Sequence, residues 1–595
     1  MFTEAVKPQS EERQALLEVV NLSVRFKSAD GSLVHAVKRV SFSLAAERTL
    51  AMVGESGSGK SVSSLAIMGL LPARSAQIDP ESVIRFKGQS LLGLDRAAWR
   101  RIRGRKIAMI FQDPMSSLNP VYTVGDQLAE MLRIHEAKSR NEAMRQAQAL
   151  LEEVGMPEAA RRLHAYPHQL SGGQQQRVMI AMAIACGPEL LIADEPTTAL
   201  DVTIQRQILS LLLQLKQSRR MSMLFITHDL GLVGEFADDV MVMRNGEVRD
   251  SGSAAEIFTQ ARDAYTKALI HCRPDPMTPR TRLLTIDDWQ ETQATVSGAE
   301  DEDRTVMPHE PARDPMKTQI AAEAGDEQPL LEVIGLRKVF ARRVGLWRSD
   351  DLVAVDHLSF RLFRGKTLGI VGESGSGKTT AGLCVVGLHE ASAGQIRFEG
   401  KDLRGITEAA WMPLKRRLQI VFQNPYASLN PRFTVGQILS EPMYLHGVGA
   451  SNADREAMVK QLLDRVGLPA ASVNRYPHEF SGGQRQRIAI ARCLSLSPDL
   501  IVCDEAVSAL DVSVQAQVLN LLKDLQRELA LSYVFISHDL GVVRHMADDL
   551  IVMHQGKVIE QGCASSIYSH PEQPYTQALL QAVPRGFQAH QVQGA

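Results

Sequence analysis

The chain has 595 residues, 44% hydrophobic and 23% charged, with a formal net charge of −2. That length calls for several domains, each large enough to bury its own core, and the charge balance excludes bulk attraction to nucleic acid or anionic lipid. No apolar run approaches the roughly 20 residues of a membrane-spanning helix; the nearest, residues 178–186, is stopped by Gly187-Pro188-Glu189.

The first residues, 1–13, are polar and charged and do not read as a signal peptide. Residues 16–45 read as short β runs broken by a turn at Ala29-Asp30-Gly31, a small antiparallel sheet with Phe26 at the end of one strand. A strand phenylalanine here either stacks on a base or fills core. An apolar run, residues 50–53, then leads into Gly54-Glu55-Ser56-Gly57-Ser58-Gly59-Lys60-Ser61. Two glycines separated by four residues, followed by Lys and Ser or Thr, form a P-loop. Its backbone N–H groups converge on phosphate oxygens at a helix start. Lys60 supplies a point charge for the terminal phosphates, and the Ser61 hydroxyl suits Mg²⁺.

The strand Ile107-Ala-Met-Ile-Phe-Gln112 ends in a polar side chain, is closed by Pro114, and continues into a Ser117-Leu-Asn-Pro120 turn. Residues 124–153 carry helical periodicity. Leu170-Ser171-Gly172-Gly173-Gln174 then opens an apolar helix. Ser171 reads as its N-cap, and the glycines at that helix start equally suit a second anion site. The apolar strand Leu190-Leu-Ile-Ala193 ends in Asp194-Glu195. Adjacent strand positions face opposite ways. The two carboxylates are therefore expected to divide the work, Asp194 for a metal shell and Glu195 for the attacking water. Leu200-Asp201 follows at once, and a further strand, Leu224-Phe-Ile-Thr-His228, ends in histidine.

All of this occurs twice. Lys60 matches Lys378 at an offset of 318; Ser171, Asp194, His228 and Tyr265 match Ser481, Asp504, His538 and Tyr575 at 310. The second set is Phe340; Gly372-Glu373-Ser374-Gly375-Ser376-Gly377-Lys378-Thr379; Gln423; Ser481-Gly482-Gly483-Gln484; Asp504-Glu505; Leu510-Asp511; and His538. A period this long marks two homologous domains rather than a solenoid. Their expected extents are 16–272 and 329–586. The stretch between, 273–328, is proline-punctuated and carries Glu300-Asp-Glu-Asp303, and reads as a flexible linker. The six cysteines lack metal-ligand spacing, and Cys493 and Cys503 read as buried thiols.

The combination of P-loop, Gln loop, Leu-Ser-Gly-Gly-Gln, apolar-Asp-Glu, Leu-Asp and His resembles the ATP-binding cassette (ABC) ATPases. The likeness implies an α/β fold. Each half would be an ABC nucleotide-binding domain with a P-loop core sheet, an antiparallel β subdomain and a helical subdomain. Finer features resemble the branch serving importers of oligopeptides, dipeptides, nickel and glutathione. They are Gly-Glu-Ser-Gly-Ser-Gly-Lys, the Ser-Leu-Asn-Pro turns, Tyr166-Pro-His-Gln-Leu170, Tyr476-Pro-His-Glu-Phe480, Tyr265-Thr-Lys-Ala-Leu269 and Tyr575-Thr-Gln-Ala-Leu.

The resemblance implies ATP and Mg²⁺ as ligands. It assigns Glu195, His228, Gln112, Glu505, His538 and Gln423 to catalysis, and Ser61, Gln112, Asp194, Thr379, Gln423 and Asp504 to the metal. Each ATP would be bound between one half's P-loop and the other half's signature, with Phe26 and Phe340 at the bases. Two transmembrane permease subunits, and through them a solute-binding protein, are the implied partners. The implied location is cytoplasmic, on the inner face of the membrane. Two departures stand out: only Cys272 lies near the cysteine-rich position of some relatives, so no metal cluster is expected there, and Phe480 replaces leucine at the second signature. The alternative is a soluble tandem ABC ATPase acting on ribosomes or nucleic acid; such proteins tend to carry long charged helical linkers or zinc-binding cysteines.

Overall fold

The computed structural model describes residues 15–27, 31–197, 201–272, 282–286, 288–289, 328–344, 348–508 and 510–583. These fall into two compact units, the first holding the described residues up to 270 except 201–203, the second holding 201–203 and the described residues from 271 on. Leu200, the turn residues Ala29 and Asp30, and the acidic run at 300–303 lie outside the described residues.

In the first unit, β1 (Ala15–Lys27) and β2 (Leu33–Ala45) form a long antiparallel ladder. Leu17 and Val19 are buried on one face of β1, and then Leu22 and Val24 take over. The extra residue is absorbed at Asn21, whose φ is 52° and where the register shifts, so the bulge keeps the apolar set on the core face. β3 (Thr49–Val53) is buried throughout and runs through the P-loop into the helix Lys60–Ile67. β4 (Ala76–Ile78), β5 (Val83–Phe86) and β6 (Gln89–Ser90) then return to the first sheet, whose order is β2-β1-β5-β6 with β4 also paired to β1.

The second sheet adds β7 (Ile107–Ile110), β8 (Leu190–Asp194), β9 (Ser222–Thr227), β10 (Asp239–Arg244) and β11 (Glu247–Ser253). Its order is β11-β10-β3-β9-β8-β7, parallel except for the β10–β11 hairpin. In such sheets ligands collect at the carboxyl ends of the strands. Those ends carry the P-loop after β3, Gln112 after β7, Asp194-Glu195 at the end of β8 and His228 after β9.

The periodic stretch at 124–153 forms two helices, Val124–Glu136 and Arg140–Glu153. The break follows from Ser139, which caps the second helix in a reciprocal box with Glu142. Val124, Leu128, Leu132, Ala147 and Leu151 pack with the signature helix, Gly172–Ile184.

The second unit repeats the plan. β12 (Leu331–Val344), β13 (Arg348–Leu362), β15 (Ala393–Phe398) and β16 (Lys401–Asp402) make the antiparallel sheet, with β14 (Thr367–Val371) between them in sequence. β14 joins β17 (Leu418–Val421), β18 (Leu500–Asp504), β19 (Ser532–Ile536), β20 (Asp549–His554) and β21 (Lys557–Cys563) in the order β17-β18-β19-β14-β20-β21. The α/β, two-domain expectation thus describes the chain.

The stretch 273–328, expected as flexible throughout, contains a packed piece. Leu283 and Ile286 are each 4% exposed, and Leu283 belongs to the core of the second unit. Its backbone N–H donates to Asn520 Oδ1 at 3.0 Å, and Asn520 Nδ2 donates back to its carbonyl at 2.8 Å. Thr285 and Asp288 close a hydrogen-bonded cap behind it, and Trp289 stacks on His271. Proline and acid content hid this, because two apolar side chains among polar neighbours carry no period. Replacing Asn520 with Ala leaves both buried backbone groups of Leu283 without that partner, a loss of about 1–3 kcal/mol. Amide exchange in the peptide spanning 282–289, measured by mass spectrometry, is expected to rise at least tenfold in Asn520→Ala while exchange in the first unit stays unchanged.

Candidate active sites

The P-loop glycines are dictated by sterics. Gly59 sits at φ 99°, and a Cβ there would lie 2.6 Å from the Ala36 carbonyl oxygen; Gly377 sits at φ 98° with Ala354 O at 2.2 Å. Only glycine fits. The loop tips, Ser56-Gly57 and Ser374-Gly375, stand exposed, while Gly54, Ser58 and Ser376 are buried. Within each loop the lysine is 4% exposed. Lys60 Nζ donates to Gly54 O (2.7 Å), Glu55 O (2.8 Å) and Ser58 Oγ (3.2 Å). Lys378 makes the same three bonds to Gly372 O, Glu373 O and Ser376 Oγ at 2.8, 2.7 and 3.4 Å. Burial lowers the Lys378 pKa, as expected for an ammonium held mainly by neutral oxygens.

Beyond the lysine, Ser61 Oγ donates to Asp194 Oδ1 at 3.0 Å, and Thr379 Oγ1 to Asp504 Oδ1 at 2.9 Å. Burial pushes Asp194 up to about 6, against the lowering effect of the Ser61 hydrogen bond; Asp504 is raised for the same reason. A carboxylate so shielded, with a hydroxyl oxygen beside it, is the hard oxygen pair that a divalent cation takes, so these residues fit Mg²⁺.

Glu195 and Glu505 leave their strands differently from what alternation predicts. Both sit at φ 47°, in the left-handed region, which costs a non-glycine residue about 1–2 kcal/mol. Each N–H is secured by the neighbouring strand, Glu195 N to Ile226 O and Glu505 N to Ile536 O, both 2.9 Å. The twist turns the carboxylate toward two partners. Gln112 Nε2 donates to Glu195 Oε2 at 2.8 Å and Gln423 Nε2 to Glu505 Oε2 at 2.8 Å. His228 Nδ1 lies 3.5 Å from Glu195 Oε2, and His538 Nδ1 3.3 Å from Glu505 Oε2. Burial works to raise Glu505, but the His538 hydrogen bond and the His538 and Lys378 charges outweigh it and leave the carboxyl below its usual value. His538 is raised, its bond to Glu505 overcoming burial. Gln112 and Gln423, expected among the metal ligands, thus turn their amide nitrogens to the glutamates.

The two phenylalanines are half-buried in their strands. Phe26 pairs with Val34, two residues from the Ala36 carbonyl that abuts Gly59; Phe340 pairs with Leu352, two from Ala354. Phe26 also packs on the sheet core, and Phe340 carries the Lys338 ammonium 4.9 Å from its ring centre.

The signature residues make their side-chain bonds to each other. Ser171 Oγ accepts from Gln174 N at 3.4 Å, and Gln174 Oε1 from Ser171 N at 3.2 Å; Ser481 and Gln484 repeat this at 3.4 and 3.1 Å. Glycines follow because Gly173 and Gly483 face Ile204 and Val514, which a Cβ would meet at 2.8 and 2.1 Å. Ser171, Gly172 and Ser481 are exposed, and Gly482 is half-buried. Phe480 is 4% exposed and Leu170 7%, so each apolar residue ahead of the serine is a core anchor and the substitution leaves the exposed tip alone.

Sequence reasoning missed one recurrent contact. The N–H of Glu55 donates to Tyr265 Oη at 3.4 Å, and that of Glu373 to Tyr575 Oη at 3.4 Å. A buried tyrosine hydroxyl needs a polar partner, and the constant offset of the two tyrosines was the available signal.

The chain matches the family described as "ABC transporter" over residues 37–198 and 355–508. It also matches "Oligopeptide/dipeptide transporter, C-terminal region" over 250–298 and 559–593. It is 45% identical over 592 residues to the "Glutathione import ATP-binding protein GsiA" of Salmonella paratyphi A, covering 97% of this chain and 91% of that protein. To the "Peptidoglycan transport ATP-binding protein YejF" of Agrobacterium fabrum it is 47% identical over 571 residues, covering 96% of each. The solved post-hydrolysis dimer of the ATP-binding cassette MJ0796 bound to ADP and Pi aligns at 25% identity over 39% of this chain and 98% of that one, with a TM-score of 0.36. Among the described residues no helix is long and apolar enough to cross a membrane. A duplicated P-loop, a duplicated Gln–Glu–His cluster and a transporter-type C-terminal region after each define the assignment: the chain belongs to the ABC transporter ATPases, as a tandem ATP-hydrolysing subunit of the oligopeptide/dipeptide kind.

Proposed function

We propose that this chain energises the import of small peptides, glutathione or di- and oligopeptides, by closing and reopening its two nucleotide-binding domains, residues 16–272 and 329–586. The observation that supports it most is that the Gln–Glu–His arrangement stands complete beside both P-loops, which is what two competent sites require. The names of the relatives cited above point to glutathione and peptidoglycan-derived cargo. A transporter-type region after each half is not what a ribosome- or nucleic-acid-directed tandem ATPase needs.

In the first site Lys60 leaves the loop carbonyls for the β- and γ-phosphates, while backbone N–H groups of residues 54–61 receive the phosphate oxygens. Glu195 orients and polarises the attacking water. Gln112 holds that carboxylate in place, and His228 stands where it senses the γ-phosphate. Ser61, Asp194 and Gln112 would hold Mg²⁺, which neutralises developing phosphate charge when bound. Lys378, Thr379, Gln423, Asp504, Glu505 and His538 act alike in the second site. Phe26 and Phe340 stack on the adenines.

Ser481 to Gln484 close the first site and Ser171 to Gln174 the second, through the positive ends of their helices. Moving such an assembly from about 1:99 to 99:1 closed requires roughly 5.5 kcal/mol of differential binding. Hydrogen bonds to a charged phosphate contribute about 1.5–3 kcal/mol each, so a few per site suffice, and cleavage of the γ-phosphate releases them. The segments after Gln112 and Gln423 carry the motion to two permease subunits at the inner membrane face, which receive solute from a binding protein.

Glu195→Gln with Glu505→Gln is expected to keep ATP affinity within about threefold and to lower turnover at least a hundredfold, measured as phosphate release; turnover near the parent value rejects the roles assigned to these glutamates. In vesicles containing the complete transporter, labelled glutathione or dipeptide uptake is expected to stop in the same variant. Uptake of neither solute by the parent would reject the cargo class.

A further inference from the structure

In each half a helix that follows the last sheet strand reaches back to that half's own P-loop. The helices are Ala264–His271 and Pro574–Ala582, and each bears the tyrosine near its start. The loop before each helix is pinned by a carboxylate from the last strand of the same sheet. Asp250 Oδ2 accepts from Arg262 N (2.9 Å) and Asp263 N (3.2 Å); Glu560 accepts from Glu572 N (2.9 Å) and Gln573 N (3.2 Å). Against the ring lies a different nitrogen-bearing side chain in each half. The Arg244 guanidinium is 4.6 Å from the Tyr265 ring centre, whereas the corresponding His554 ring is 4.3 Å from Tyr575. The hydroxyl-to-loop bond survives that change at the same 3.4 Å.

The bonded amide belongs to a peptide unit with a second duty. Gly54 O and Glu55 O, on either side of that N–H, are the two carbonyls that hold the Lys60 ammonium; Gly372 O and Glu373 O hold Lys378. Glu55 O and Glu373 O also accept from Ser58 N and Ser376 N at 3.1 Å. The tyrosine therefore grips the segment on which the phosphate-binding lysine rests. Burial pushes the Tyr575 phenol up to about 12, so it remains a neutral hydroxyl at working pH.

We propose that Tyr265 and Tyr575 are positioning residues for ATP. Through the Glu55 and Glu373 amides, the transporter-type C-terminal region of each half holds the P-loop in the shape that accepts the nucleotide. The tyrosines do not touch phosphate; they act through the loop. This rests on the reading of Lys60 and Lys378 as nucleotide-binding residues.

The test compares the full chain with Tyr265→Phe, Tyr575→Phe and the double variant, which keep the rings, and with Lys60→Ala/Lys378→Ala as the control. Phosphate release against ATP concentration gives KM and kcat, and nucleotide-free thermal unfolding reports folding. The double tyrosine variant is expected to raise KM for ATP about 3- to 10-fold, the loss of one hydrogen bond per site, with kcat within twofold and Tm within about 2 °C. An unchanged KM overturns the proposal, whether or not Tm falls, because the hydroxyls would then serve packing alone. If the lysine control also leaves KM unchanged, the nucleotide-site reading itself is wrong; if it abolishes turnover while the tyrosine variants match the parent, only the positioning role is lost.

Discussion

A buried ammonium on backbone carbonyls organises each half of this protein. Lys60 and Lys378 are almost wholly shielded and take their main bonds from the loop that precedes them. A charge in such a place is costly unless its hydrogen bonds are complete. The loop therefore has to curl tightly, the glycines have to permit close approach to the neighbouring strand, and the parallel sheet beneath has to be rigid. The remaining chemistry lies along the same sheet edge, where Asp194, Glu195, Gln112 and His228 are brought to one line by strand order rather than by proximity in sequence.

Much of this was legible from residue order alone. Glycine spacing, apolar strands ending in acid or amide, and a serine before two glycines each have a physical meaning, and the internal repeat turned ambiguous single cases into paired ones. Besides the packed Leu283 segment, three things were not legible. Strand alternation placed Glu195 opposite Asp194, but a left-handed residue follows the strand, and sequence periodicity does not encode a single dihedral of that kind. The short strands β4 to β6 have too few residues to show a period, and they are fixed by pairing, β4 and β5 with β1 and β6 with β5. The tyrosine hydroxyl bonds depend on a helix folding back over some two hundred residues of chain, a separation no local pattern reports.

The two halves are close but not interchangeable. Asp250 and Glu560 perform the same pinning with side chains of different length, and Arg244 and His554 flank equivalent tyrosines with a guanidinium and an imidazole. The glutamate, glutamine and histidine distances nevertheless agree to within 0.2 Å between the halves. Variation is tolerated behind the loop because only the position of one amide matters there, whereas the carboxylate itself must point at a single place.

The Leu283–Asn520 clasp changes what counts as a domain boundary. By order along the polypeptide this segment trails the first half, yet by its hydrogen bonds it is part of the second. A gene divided just after the codon for residue 272 would give a second product that keeps its own clasp as an amino-terminal arm. A cut after residue 289 would hand that arm to the wrong product, leaving Asn520 to face water and Leu283 to hang loose on its neighbour.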